Sequence, residues 1–204
     1  MSTLSSHASH AIAVDRQPSG DHPDSTSVPT GRVGIWWFLA SEIAIFGGLI
    51  TCYIMSRLVH PEWGAEAHHT VQWAGALNTL VLLTSSLSAV LAHDKAHQGD
   101  GPGAAKLMYF TLLGGLVFLC IKGYEYTHEI SAGFTPFKST FWGFYFLMTG
   151  LHGLHVIGGM TAIFVVAQGA KANKHLQRVE YAGMYWHLVD IVWIFLFPLV
   201  YLAS

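Results

Sequence analysis

Cysteine is scarce in these 204 residues: Cys52 and Cys120 stand in different apolar segments, without a CxxC or a neighbouring thiol. A disulfide framework, an iron–sulfur cluster and a thiolate copper centre all need clustered thiols, so none is supported, and both cysteines are expected to be small core residues. Charge is also sparse. Asp, Glu, Lys and Arg form 11% of the chain, against roughly a quarter in a soluble domain. No phosphate-cradling loop of the P-loop type occurs, and the loops between apolar stretches leave no room for a soluble catalytic or nucleotide-binding domain. No nucleic-acid partner is expected. Residues 1–30, rich in Ser, Pro, His and Asp, lack the apolar stretch of a signal peptide. They are expected to stay attached as a disordered cytoplasmic tail, whose His7, His10 and His22 carry no assigned role.

Apolar residues are abundant instead, at 52% of the chain, and mean hydropathy is positive. Five apolar stretches, at about 33–58, 72–93, 106–127, 139–168 and 182–203, reach or exceed the roughly 20 residues of a membrane-spanning helix. The expected fold is therefore all-α, a polytopic bundle of five transmembrane helices over residues 31–204. Basic residues set its orientation. With a cytoplasmic N-terminus, Arg16, Arg32, Lys95, Lys106, Lys171, Lys174 and Arg178 fall on the inner side. Only Arg57 and Lys138 fall on the other, and Lys122 stays in the membrane. The C-terminus is then periplasmic, as is the loop holding Glu62, Glu66, His68 and His69.

Ionisable residues inside these stretches mark function, because each is expensive in hydrocarbon. At the helical rise, Glu42 lies roughly 14 Å into the first helix, and His187 and Asp190 about 8 and 12 Å into the fifth. His152 and His155 share a face of the fourth helix near its middle. These five residues can form one cytoplasmic-half layer. Glu42 reads as a proton-relay carboxyl, a lipid contact or a protonated acid bonded between helices. His152 and His155 read as interhelical hydrogen-bonding groups or ligands. His187 and Asp190, one turn apart, read as an imidazole–carboxylate pair. Lys122 and Glu125, three apart in the third helix, can pair, or Lys122 can snorkel outward. Lys171, Lys174 and Arg178 sit where cations meet lipid phosphates. No complete metal-ligand set is evident.

Small residues at Gly47-Gly48, Gly114-Gly115, Gly150, Gly153 and Gly158-Gly159, with the hydroxyls of Ser85-Ser86-Leu87-Ser88, predict close helix packing. Trp36, Trp37, Trp63, Trp73, Trp142 and Tyr201 are expected as interfacial anchors.

Separate motifs in order along the chain resemble subunit III of haem–copper cytochrome c and quinol oxidases. They are Ser41-Glu42 with Phe46; Asn78-Thr79, Leu82-Leu83 and Ser85-Ser86; Gly123-Tyr124-Glu125-Tyr126; and Ser139-Thr140-Phe141. Thr149-Gly150-Leu151-His152-Gly153-Leu154-His155-Val156 with Gly158-Gly159, and Tyr185-Trp186-His187-Leu188-Val189-Asp190-Ile191-Val192-Trp193, complete the set. The resemblance implies a bacterial inner-membrane subunit without a catalytic residue or redox centre of its own. Haem and copper then belong to partner subunits. It also implies contact with oxidase subunit I, association with subunit II, small subunits or a respiratory supercomplex, structural phospholipid in a cleft, and support of proton uptake. Two departures stand out: the chain looks like the five-helix form lacking the first two helices of longer members, and Lys122 replaces a neutral Gln. A quinol oxidase or nitric oxide reductase subunit is the near alternative. An independent transporter or a b-type cytochrome anchor is the distant one, although neither broken helices nor inverted repeats are evident.

The charge bias generates a test of orientation. A protease site appended to the N-terminus should be cut only from the inner membrane face, and cutting from the periplasmic face contradicts the assignment.

Overall fold

The computed structural model describes residues 30–202, and the expectations for the N-terminal tail lie outside the described residues. The order is α1 (Thr30–Val59), a short α2 (Trp63–Ala67), α3 (Gln72–His97), α4 (Gly101–Ser131), α5 (Thr140–Lys171) and α6 (Gln177–Phe197). A π-helical turn, Pro198–Leu202, follows α6. Five helices are long and apolar enough to cross a membrane, the last including that turn. The all-α, five-span expectation holds.

The helices overrun the apolar stretches because backbone hydrogen bonding continues where side chains turn polar. Thus α4 starts at Gly101 and α5 reaches Lys171. Their ends have local causes. Asp100 caps α4 by accepting the Gly103 N–H at 2.9 Å, with Pro102 in the first turn. Ser139 caps α5 through the Trp142 N–H. Gly99 and Gly133 adopt positive φ, +79° and +85°, where α3 and α4 stop.

The α3–α4 pair makes the most extensive contact, and α6 packs against both α3 and α5. A Cβ on Gly114 would lie 2.6 Å from Ser85 Cβ, and one on Gly115 would lie 2.8 Å from the Trp186 ring. Gly159 meets the same ring from α5. Trp186 therefore fills a pocket made by glycines on two helices, and its indole N–H donates to Ser85 Oγ at 3.2 Å. Ser88 bonds Thr111 at 2.7 Å, and Trp193 donates to Thr79 at 3.1 Å. In lipid such packing and hydrogen bonding replace the hydrophobic driving force between helices. By contrast Gly47, Gly48 and Gly153 face open space.

The first helix is peripheral. It rests mainly on α6 and is tied by side chains: Arg32 to Glu180 at 2.7 Å, and the Tyr53 hydroxyl to the Leu199 carbonyl at 2.9 Å.

Two expectations are corrected. Cys52 and Cys120 are exposed on the outside of the bundle rather than in its core. Lipid and protein interior are both apolar, so a cysteine's apolar neighbours do not say which way it faces. Of the expected interfacial anchors, Trp63, Trp142 and Tyr201 are buried, whereas Trp36, Trp37 and Trp73 are exposed. The buried rings fall near helix ends but turn inward against Tyr53, Phe134 and Tyr145 respectively.

Close approach at Trp186 yields a packing test. Gly115→Leu should cost about 1–3 kcal/mol through overpacking and lower the thermal midpoint of the solubilised protein. Gly123→Leu, at a glycine facing open space, should leave the midpoint in place; equal effects would reject the packing argument.

Candidate functional site

The polar interior is divided among separate groups. Nearest the bundle end that carries α2, Lys122 extends from α4 into a cage shared by α5, α6 and the C-terminal turn. Its Nζ lies 3.0 Å from Glu125 Oε2, 3.2 Å from the Tyr145 hydroxyl and 2.7 Å from the Tyr201 hydroxyl. Tyr145 also donates to Glu125 Oε1 at 2.9 Å. The rings of Tyr126, Tyr145, Trp193 and Tyr201 lie within 5.6 Å of the ammonium, close enough for cation–π attraction. Glu125 is fully buried and Lys122 nearly so, at 6% exposure. Of the two readings of Lys122, pairing is what the fold adopts.

In the other half, His155 Nε2 meets Glu42 Oε2 at 2.7 Å, joining α5 to α1. Its Nδ1 lies 2.8 Å from the Leu151 carbonyl, which can only accept, so Nδ1 carries a proton. The Glu42–His155 contact then holds one further proton, on either the carboxyl or the imidazole. Phe46 packs edge-on against His155, and the Tyr185 hydroxyl donates to the His155 carbonyl at 3.4 Å.

His187 Nδ1 lies 2.6 Å from Ser86 Oγ, joining α6 to α3. The expected His187–Asp190 pair does not form. Ser86 takes the imidazole and is also the polar neighbour of Asp190, which is buried at 4% exposure. His152, fully buried, packs between the Phe118 and Trp193 rings with neither ring nitrogen hydrogen-bonded. Glu42, His152, His155, His187 and Asp190 therefore form separate contacts rather than one connected layer. Helical spacing gave their depths, but not the azimuth at which each helix meets its neighbours.

No three of the His, Cys, Asp and Glu side chains among the described residues converge as a metal-holding group. Lys171, Lys174 and Arg178 are exposed around the α5–α6 turn. Arg178 also lines an apolar groove of 560 Å³ between α1, α5 and α6, with Phe38, Val166 and Tyr185 among its walls.

Sequence reasoning missed Glu129 and Tyr145, both buried beside Lys122. Glu129 follows Glu125 by one helical turn, so the i, i+3, i+7 series from Lys122 was the available signal. In the loop after α1, His60 stacks on Trp63 and pairs with Glu62 at 2.8 Å. The Glu62 carboxyl is held below its ordinary range by its own backbone N–H, then by His60. Glu66 accepts from Ser139, tying α2 to the start of α5.

Residues 5–204 match the family described as cytochrome c oxidase subunit III. Among curated proteins, cytochrome c oxidase subunit 3 of Thermostichus vulcanus is 33% identical over 199 residues, 95% of this chain and 94% of that protein. The Synechocystis protein of the same name is 36% identical over 187 residues, covering 89% of this chain and 77% of its own. The probable cytochrome c oxidase subunit 3 of Mycobacterium leprae is 35% identical over 193 residues, 92% of this chain and 93% of that protein. With five spans and a match over nearly its whole length, the chain belongs to the cytochrome c oxidase subunit III family.

Proposed function

We propose that this chain is a non-catalytic subunit of a haem–copper terminal oxidase in a bacterial inner membrane, N-terminus cytoplasmic and C-terminus periplasmic. Cytochrome c is the donor and oxygen the acceptor. It packs against subunit I, accompanies subunit II, leaves haem and copper to those partners, and supports proton uptake while holding phospholipid. Small subunits and a respiratory supercomplex are further partners of this assembly.

The observation that carries the proton-support reading is the Glu42–His155 contact. It is a 2.7 Å bond in which a proton can reside at either end while Nδ1 stays protonated on Leu151. Both side chains are mostly shielded, at 10% and 19% exposure, so the proton can be kept in an apolar setting without a free charge. The pair links the loosely packed α1 to α5. It therefore couples the position of that helix to the proton's presence. Family membership supports the oxidase assignment, and the exposed Trp36, Trp37, Leu58 and Val59 of α1 supply apolar surface for lipid or a neighbouring subunit.

Lipid holding rests on the groove between α1, α5 and α6. Its walls suit an acyl chain, and Arg178 at its edge with nearby Lys171 and Lys174 suits an anionic headgroup.

Replacing Glu42 by Gln keeps the shape and one hydrogen bond to His155, but removes ionisation. Oxygen consumption should persist with at most a mild fall, whereas removing the whole chain should slow turnover at high pH and cause inactivation over many turnovers. Immediate complete loss in Glu42→Gln would instead make it an obligatory proton carrier. Anionic phospholipid should copurify with the native complex and be depleted, by native mass spectrometry, when Lys171, Lys174 and Arg178 are all changed to Gln. Unchanged retention refutes the headgroup assignment.

A further inference from the structure

A second proton-bearing site, apart from Glu42, follows from counting donors around Lys122. Lys122, Glu125 and Glu129 occupy positions i, i+3 and i+7 on one face of α4, at 6%, 0% and 1% exposure. An ammonium has three hydrogens. Those of Lys122 meet Glu125, Tyr145 and Tyr201. The single Tyr145 proton goes to Glu125 Oε1, so across the 3.3 Å contact between the two phenols Tyr201 is the donor. Glu125 thus takes both the salt bridge and the phenol, and no donor in the cage is left for Glu129. Both Glu129 carboxyl oxygens are indeed buried without a hydrogen-bond partner, although Tyr145 and Lys122 are close by.

Two carboxylates against one ammonium would leave a net negative charge in a water-poor interior, where an uncompensated ion is strongly disfavoured. One added proton makes the group neutral. The titratable side chains facing Glu129 are Lys122, Glu125 and Tyr126 of α4, Tyr145 of α5, and Tyr201 of the C-terminal turn. His152 of α5 lies next to the cage, near Lys122. From α6 the cage receives Trp193, which does not titrate. None but Lys122 supplies positive charge beside Glu129.

A separate orphan borders the same place. Trp142 is fully buried with its indole N–H unmatched. Its ring packs on Tyr145 at 5.2 Å and on Phe134 at 4.6 Å. Phe134 in turn bonds through its backbone N–H to the Glu129 carbonyl at 2.9 Å. An unmatched donor and an unmatched acid thus stand beside the same two residues, Tyr145 and Phe134. Glu129 also lies in the last turn of α4, so its nearest aqueous phase is at the end that carries α2.

We infer that Lys122, Glu125 and Glu129 form a buried proton-binding site, with one exchangeable proton held on Glu129 and drawn from the aqueous phase at the α2 end. This site lies in the half of the bundle opposite Glu42. It goes beyond the proposed oxidase role and does not depend on it.

The test uses the purified complex, by infrared spectroscopy in H2O and D2O together with thermal midpoints. Read as a difference between native and variant, so that Glu42 cancels, the native protein should show a protonated-carboxyl C=O stretch that shifts in D2O and is missing from Glu129→Gln. Glu129→Gln, a neutral-for-neutral exchange, should assemble with an unchanged midpoint. Glu125→Gln should lower it, because Lys122 loses its counter-charge. Persistence of the band in Glu129→Gln, failure of that variant to assemble, a harmless Glu125→Gln, or a band that does not shift in D2O would each overturn the inference.

Discussion

Hydrocarbon offers a polar side chain no alternative partner, so the protein must supply one or place the group where charge is avoided. Lys122 shows what this constraint demands. Its ammonium organises α4, α5 and the C-terminal turn at once, because no single helix can present a carboxylate, two phenols and four aromatic faces in one place. The π-helical turn after Phe197 belongs to this arrangement. It brings the Tyr201 hydroxyl to Lys122, while Tyr53 and Gln72 hold the Leu199 and Tyr201 carbonyls. Four helices therefore converge on one short segment.

Away from this cage, cohesion comes from shape. Trp186 lies where Gly115 and Gly159 leave room, and Ser85 accepts its indole hydrogen. A hydroxyl pair across α3–α4 and an indole-to-hydroxyl bond across α3–α6 add hydrogen bonds that lipid cannot replace. The first helix has few such contacts and relies on Arg32, Glu42 and Tyr53 for attachment. The result is a four-helix body with an outlying first helix held by a few side-chain contacts.

The five spans and the family were legible in the chain because both are local or linear properties. Long apolar runs reveal spanning helices whatever their neighbours, and the Tyr185–Trp193 motif keeps its pattern however the helix rotates. The pairing of Lys122 with Glu125 was one of two readings, and it prevailed because Tyr145 and Tyr201 made burial cheaper than reaching for the interface. The pairing of His187 with Asp190 failed because Ser86, from a helix 101 residues away, meets the imidazole first.

What the sequence alone determined is the membrane class, the number and placement of the spanning helices, the positions of most of the costly ionisable residues and the family they mark. Only the tertiary structure decided which of those residues meet: Glu42 with His155, Lys122 with two phenols, Glu129 with no donor at all. It also decided which faces look outward, sending Cys52 and Cys120 to the surface and Trp142 to the interior. The reason is physical. Along a chain in apolar solvent, hydropathy distinguishes membrane from water but not lipid from protein interior, so the rotation and packing of each helix are settled only by contacts among side chains distant in sequence.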